Sequence, residues 1–114
     1  MIEAAPDGSS IEPLTRTPHA SQCLCTLAPG QITKPVQHRT IHELWYVLEG
    51  QGELWLDGDV LELAPGNDAH LQPGQPFQFR CTGTRLSILI TSIPAWPGDE
   101  EAQPAPNGPW QPAL

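Results

Sequence analysis

Positive charge is scarce in this sequence. Lysine and arginine together number five against thirteen aspartates and glutamates, for a formal net charge of −8. The five cations, Arg16, Lys34, Arg39, Arg80 and Arg85, are scattered along the chain. Phosphate backbones are bound by basic stripes, so no nucleic-acid partner is expected. The acidity itself reads as solubility. No apolar run approaches the roughly 20 residues of a membrane helix, so no membrane partner is expected either. The opening MIEAAPDGSSIEP is acidic and lacks the charged-then-apolar pattern of a signal peptide. Cysteine is sparse and odd in number, at three. Cys23 and Cys25 lie two apart, so in a strand they point the same way and are poorly placed to bridge each other. All three are expected as small core residues in a reducing cytoplasm, with a thiolate metal ligand as the alternative. Helical periodicity is missing throughout, and there is no internal repeat of fixed period.

Turns and short apolar runs fill the chain instead. Its 114 residues suffice for one domain with one core. Fourteen prolines and ten glycines suit short strands joined by tight turns. Turn signals at Pro29-Gly30, Gly50-Gln51-Gly52, Asp57-Gly58-Asp59, Pro65-Gly66, Pro73-Gly74 and Gly83 separate SQCLCTLA, ELWYVLE, ELWL, VLEL, AHL, FQFRC and RLSILITSI. Seven or eight strands in about seventy residues predict an all-β antiparallel sandwich or barrel. Residues 1–20 read as an extended arm with one short edge strand, 21–93 as the barrel, and 94–114 as a Pro-rich tail. That tail holds six of the fourteen prolines, and Trp96 and Trp110 interrupt it. Both tryptophans are expected as anchors that lay the tail across the barrel.

The stretch VQHRTIHELWYVLEGQGELWLDG, residues 36 to 58, carries the chemistry. Alternation along ELWYVL puts Glu43, Trp45 and Val47 on one face and Leu44, Tyr46 and Leu48 on the other. Both faces are mostly apolar. One is expected to line the barrel interior and the other to meet a second layer or a second subunit. Glu43 then sits on an apolar inner face, where an unpaired carboxylate is costly and needs a metal, a cation or hydrogen-bond donors.

Together, HRTIHELWYVLEGQGELWLDG and LAPGNDAHLQPGQPFQFR resemble the two motifs of the cupin family. The resemblance runs over residues 21 to 93 and implies a cupin-type β-barrel, a jelly roll or double-stranded β-helix, often dimeric. His38, Glu43 and Gly50 match the first motif; Gly66 and Gly74 match the glycines of the second, with Pro73 one place off its usual position. HRT, FQFR and the Pro-x-Trp-Pro-Gly of the tail are similar to small single-domain bacterial cupins loosely called mannose-6-phosphate-isomerase-like, a label for the barrel and not an activity. The family implies a metal held by three histidines and a glutamate. Carried over residue by residue, the first histidine falls on Val36, the second on His38, the glutamate on Glu43 and the third on Phe77, or on Pro76 if the register shifts by one. Two of four remain, and catalytic metal sites generally offer at least three protein ligands.

The expectation is therefore a barrel pocket for a small molecule, lined by His38, Glu43, Trp45, Phe77 and Phe79, with Trp55 as a further wall and no tightly bound metal. A His38–Glu43 pair could work as an acid–base unit or simply hold a ligand. Arg39 or Arg80 at the mouth would favour an anion, unless both are solvated surface groups. His42 reads as a polar residue at a strand entrance, and Gln78 as pointing outward. The alternative is a metal-dependent oxygenase, isomerase or lyase in which His70 or water completes a divalent-metal site on His38 and Glu43. A third reading is a structural or regulatory homodimer whose pocket is incidental.

Overall fold

The computed structural model describes residues 1–114 and is built almost wholly of strands. They are β1 (Glu3–Ala4), β2 (Ser10–Arg16), β3 (Ser21–Leu27), β4 (Val36–His38), β5 (His42–Glu49), β6 (Gly52–Leu56), β7 (Asp59–Leu63), β8 (Asp68–Leu71), β9 (Phe77–Cys81), β10 (Leu86–Ile93) and β11 (Ala102–Pro104). The one helical element is a 3-10 turn at Asp99–Glu101. Eight strands, β3 to β10, fall within residues 21–93, as the turn spacing predicts. They form two antiparallel sheets, ordered β1-β2-β3-β10-β5-β8 and β11-β4-β9-β6-β7. No helix is long and apolar enough to cross a membrane.

Tight turns fix the register. β6 and β7 pair from Gly52↔Leu63 to Leu56↔Asp59, so only Asp57 and Gly58 form the loop. Both have positive φ, 49° and 99°, the backbone that a two-residue hairpin twisting with its strands requires. Gly50, which closes the first motif, has φ 86°, and a Cβ there would lie 1.4 Å from the Arg85 carbonyl oxygen. The β5 strand can leave the sheet at that point only because Gly50 has no side chain.

Alternation decides which residues enter the core. Glu43, Trp45 and Val47 of β5 are buried between the sheets with Leu54, Phe77, Phe79, Leu86 and Ile88. Leu44, Tyr46 and Leu48 remain 43%, 49% and 47% exposed on the outer face. In a single chain, then, β5 is covered on one side only. Gln78 points away from the interior as expected, yet it is fully buried. The tail covers it: its Nε2 donates to the Thr33 and Trp110 carbonyls, both at 2.8 Å, and its Oε1 accepts from the Trp110 N–H at 3.1 Å.

Both termini are built into the sheets. β2 pairs along β3, so the arm extends the six-stranded sheet by more than one short edge strand. β11 pairs with β4 in the register Ala102↔His38 and Pro104↔Val36. Ala113 closes the tail by bridging to Ile32. The Arg80 guanidinium lies 4.2 Å from the centre of the Trp110 ring. Trp96 and Trp110 are each half-buried, a shallower anchorage than full burial.

Candidate functional site

His38 ends β4 and Glu43 begins the inward row of β5, and the turn between them is held from the tail. The Glu101 carboxylate accepts hydrogen bonds from the Thr40 N–H at 2.6 Å, the Thr40 hydroxyl, and the Ile41 N–H at 3.3 Å. Burial pushes the Glu101 pKa up, but these donors outweigh it and leave the group below its ordinary value. The turn thus links the two sheets and brings His38 of one against Glu43 of the other. His38 Nε2 lies 3.3 Å from Glu43 Oε2, with 5% of the imidazole side chain and 9% of the carboxylate side chain exposed. This is ion-pair distance without hydrogen-bond alignment, and neither ring nitrogen of His38 has a hydrogen-bond partner. Burial disfavours the imidazolium, but the Glu43 carboxylate, with Glu101 and Asp7 adding smaller contributions, raises the His38 pKa above its ordinary value.

Glu43 has a second partner that the sequence reading missed. The Trp45 indole N–H donates to Glu43 Oε1 at 3.0 Å. Residues two apart in a strand share a face, so the signal was present in Glu-Leu-Trp. Trp45 packs edge-on against Phe79 and Phe77 at centroid separations of 4.8 and 5.9 Å. Phe77 in turn lies 5.2 Å from the His38 ring. These side chains line a cavity of about 270 Å³. His38, Glu43, Trp45, Phe77 and Phe79 therefore line one space.

Several wall residues come from segments that the sequence reading had left outside the site. Asp7 and Arg16 of the arm, Cys23 and Cys25 of β3, and Trp96 of the tail all line the cavity. Asp7 Oδ1 accepts from the Ser9 N–H at 2.9 Å and the Ser9 hydroxyl at 2.7 Å. Burial nonetheless leaves the Asp7 pKa raised. Burial, with the Glu43 and Asp7 charges adding to it, pushes the Cys23 thiol up to about 12. Cys25 is also raised, well above the ordinary value. Both thiols are therefore held in the neutral form.

Other candidates lie elsewhere. His70 pairs with Leu44 across the sheet and faces outward, where its Nε2 is 2.9 Å from His42 Nδ1. It cannot join His38 and Glu43, because Leu71 takes the inward position beside it. Trp55 is opposite Gln78 on the outer face of the five-stranded sheet. Arg80 is also outside, bound to Glu53 at 2.6 Å. Arg39 is exposed and is not part of the cavity wall; Arg16 is the arginine at the mouth.

Residues 23–93 match the sequence model of the cupin domain. This chain belongs to the cupin family. An uncharacterized protein of Methanocaldococcus jannaschii is 32% identical over 68 residues, covering 59% of this chain and 54% of that protein. The cupin thus spans about half the length of that relative. An uncharacterized protein of Aquifex aeolicus is 30% identical over 91 residues, covering 79% of this chain and 73% of that one. Among solved structures, KdgF from a Halomonas species superposes with a TM-score of 0.77 at 18% identity, covering 85% of this chain and 88% of its own. At that identity the likeness shows the fold alone. The metal site that the family resemblance implies does not fit the donors of this cupin. Buried carbon side chains, Val36 and Phe77, stand at two of the four ligand positions, and no group of three His, Cys, Asp or Glu residues is placed to hold an ion.

Proposed function

We propose that this cupin binds a small organic molecule directly inside its barrel, through His38 and Glu43, without a metal between protein and ligand. One observation carries the reading: His38 is 5% exposed and lines the cavity, yet both its ring nitrogens lack hydrogen-bond partners. Beyond the Glu43 contact at 3.3 Å the buried imidazole has no polar neighbour in hydrogen-bond alignment, and a bound polar group would satisfy it. Phe77 and Val36 support the same reading, since they convert ligand positions into dry walls suited to an apolar ligand body. The metal-dependent enzyme is not favoured, because His70 supplies no third donor. A His–Glu pair beside a bound ligand is also suited to proton transfer, so binding here is compatible with acid–base chemistry.

The reading is tested by screening fragment-sized organic compounds by NMR in the presence of a chelator, with wild-type protein and His38→Gln. Compounds that perturb the His38 ring resonances in chelator, and fail to bind the variant, support it. Compounds that bind only when a divalent metal is restored contradict it.

A second copy of the chain is the partner that the outer face favours. Leu44, Tyr46 and Leu48 form an exposed apolar row, and Ile93, opposite His42, extends it at 41% exposure. Contiguous apolar surface of this kind marks an interface. The three free thiols support a reducing, cytoplasmic setting.

A further inference from the structure

Trp96 is held by its backbone rather than by its ring. Its N–H donates to the Ser21 hydroxyl at 2.9 Å, and its carbonyl accepts from Arg16 Nη1 at 2.7 Å. Ser21 opens β3 and Arg16 ends β2, so two strands of the arm-side sheet fix one residue of the tail. The indole itself is half-buried on the cavity wall, edge-on to His38 with ring centres 5.6 Å apart. Trp45, Phe77 and Phe79 already pack on one another, whereas the aromatic neighbour of Trp96 is His38, whose nitrogens lack partners. A ring on the cavity wall, carried on a fixed backbone beside a histidine that lacks an aligned hydrogen bond, offers a platform for something flat.

The size and charge of the cavity narrow what that is. A space of about 270 Å³ holds roughly nine waters' worth of volume, which suits a compound with one ring. The lining carries the carboxyl groups of Glu3, Asp7, Glu43 and Asp99 together with the basic groups of Arg16 and His38, so a charged ligand of either sign meets like charge in it. Arg16 commits Nη1 to the Trp96 carbonyl. We propose that the ligand of this pocket is an uncharged, planar, single-ring compound that lies on Trp96 and hydrogen-bonds to His38 through a group on its edge. This inference rests on the direct-binding reading above and adds the ligand class.

Four probes of similar size separate the parts of the claim: phenol, cyclohexanol, benzoate and benzylamine at neutral pH. Binding is read as shifts of the His38 ring nitrogens in the wild-type protein. Phenol is expected to bind at His38, and the other three at least about tenfold more weakly, cyclohexanol for lack of a flat face and the ions for their charge. Trp96→Phe should keep the preference of phenol over cyclohexanol, and Trp96→Ala should abolish it. Should Trp96→Ala fail to fold, the wild-type series and Trp96→Phe still decide the matter. Equal binding of cyclohexanol, or of either ion, at His38 overturns the ligand class while leaving direct binding intact. If none of the four reaches His38, the ligand class falls, and the fragment screen in chelator decides direct binding by itself.

Discussion

At the scale of single residues, this site is a histidine and a carboxylate whose roles their neighbours assign. Glu43 is engaged on both oxygens, by a hydrogen bond from Trp45 and by the ion-pair contact with His38 Nε2, while the imidazole makes no aligned hydrogen bond. With its pKa raised in the folded state, His38 should titrate above about 6.5 in an NMR pH series, and Glu43→Gln should move it below that value. A raised folded-state pKa contributes stability that is fully present below the unfolded value near 6.5. That contribution is lost as pH rises through the folded value. Glu101 works the other way, with a lowered pKa, so its contribution is present above its unfolded value and lost as pH falls through the folded one. Glu101→Ala leaves the donors of Thr40 and Ile41 without their acceptor and should cost about 1–3 kcal/mol in chemical denaturation. Glu101→Gln should cost less, because one carbonyl acceptor remains. Of these residues, His38 and Glu43 were legible from spacing and type. Trp45 was legible as a wall, but its indole N–H was overlooked as the donor that Glu43 required. Asp7 and Glu101 could not be found, because their partners depend on how two extended termini return to the barrel.

At the scale of elements, the strands were readable because each one is bounded by a turn with its own local chemistry. Asp57-Gly58 and Gly50 would specify their turns in almost any β context, and alternation then sends Trp45 inward and Tyr46 outward without further information. The tail carries no such local code. β11 is a strand only because β4 offers it an edge, and Gln78 is buried only because Trp110 covers it. The placement of His70 was undetermined for a related reason: its face depends on its register with β5, which is non-local. Removal of residues 94–114 should therefore lower the melting temperature, since it uncovers Gln78 and strips the Glu101 bonds from the turn beside His38. Trp110→Ala alone should cost roughly 1–3 kcal/mol, less than a fully buried aromatic, because the ring is half-exposed under Arg80. A truncated chain with an unchanged melting temperature would mean that the tail does not support the barrel.

At the scale of the whole molecule, one chain has an interior cavity that carries a polar cluster and an apolar outer face on β5. Burying the outer face against a second copy is the expected outcome, and sedimentation at micromolar concentration should give a dimer. Tyr46→Lys, which places charge in the middle of that face, should shift it toward monomer; a wild-type monomer would contradict the assignment. In the interior, Val36 and Phe77 stand at two ligand positions of the family motif, and the proposed reading has His38 and Glu43 meet a ligand unaided. The most direct test is the metal content of protein purified without chelator, measured by elemental mass spectrometry for wild type and His38→Ala. Zinc, iron, nickel and manganese are expected to be well below one per chain and equal in the two proteins. One metal per chain in the wild type, absent from His38→Ala, would contradict direct binding and restore a metal centre to this barrel.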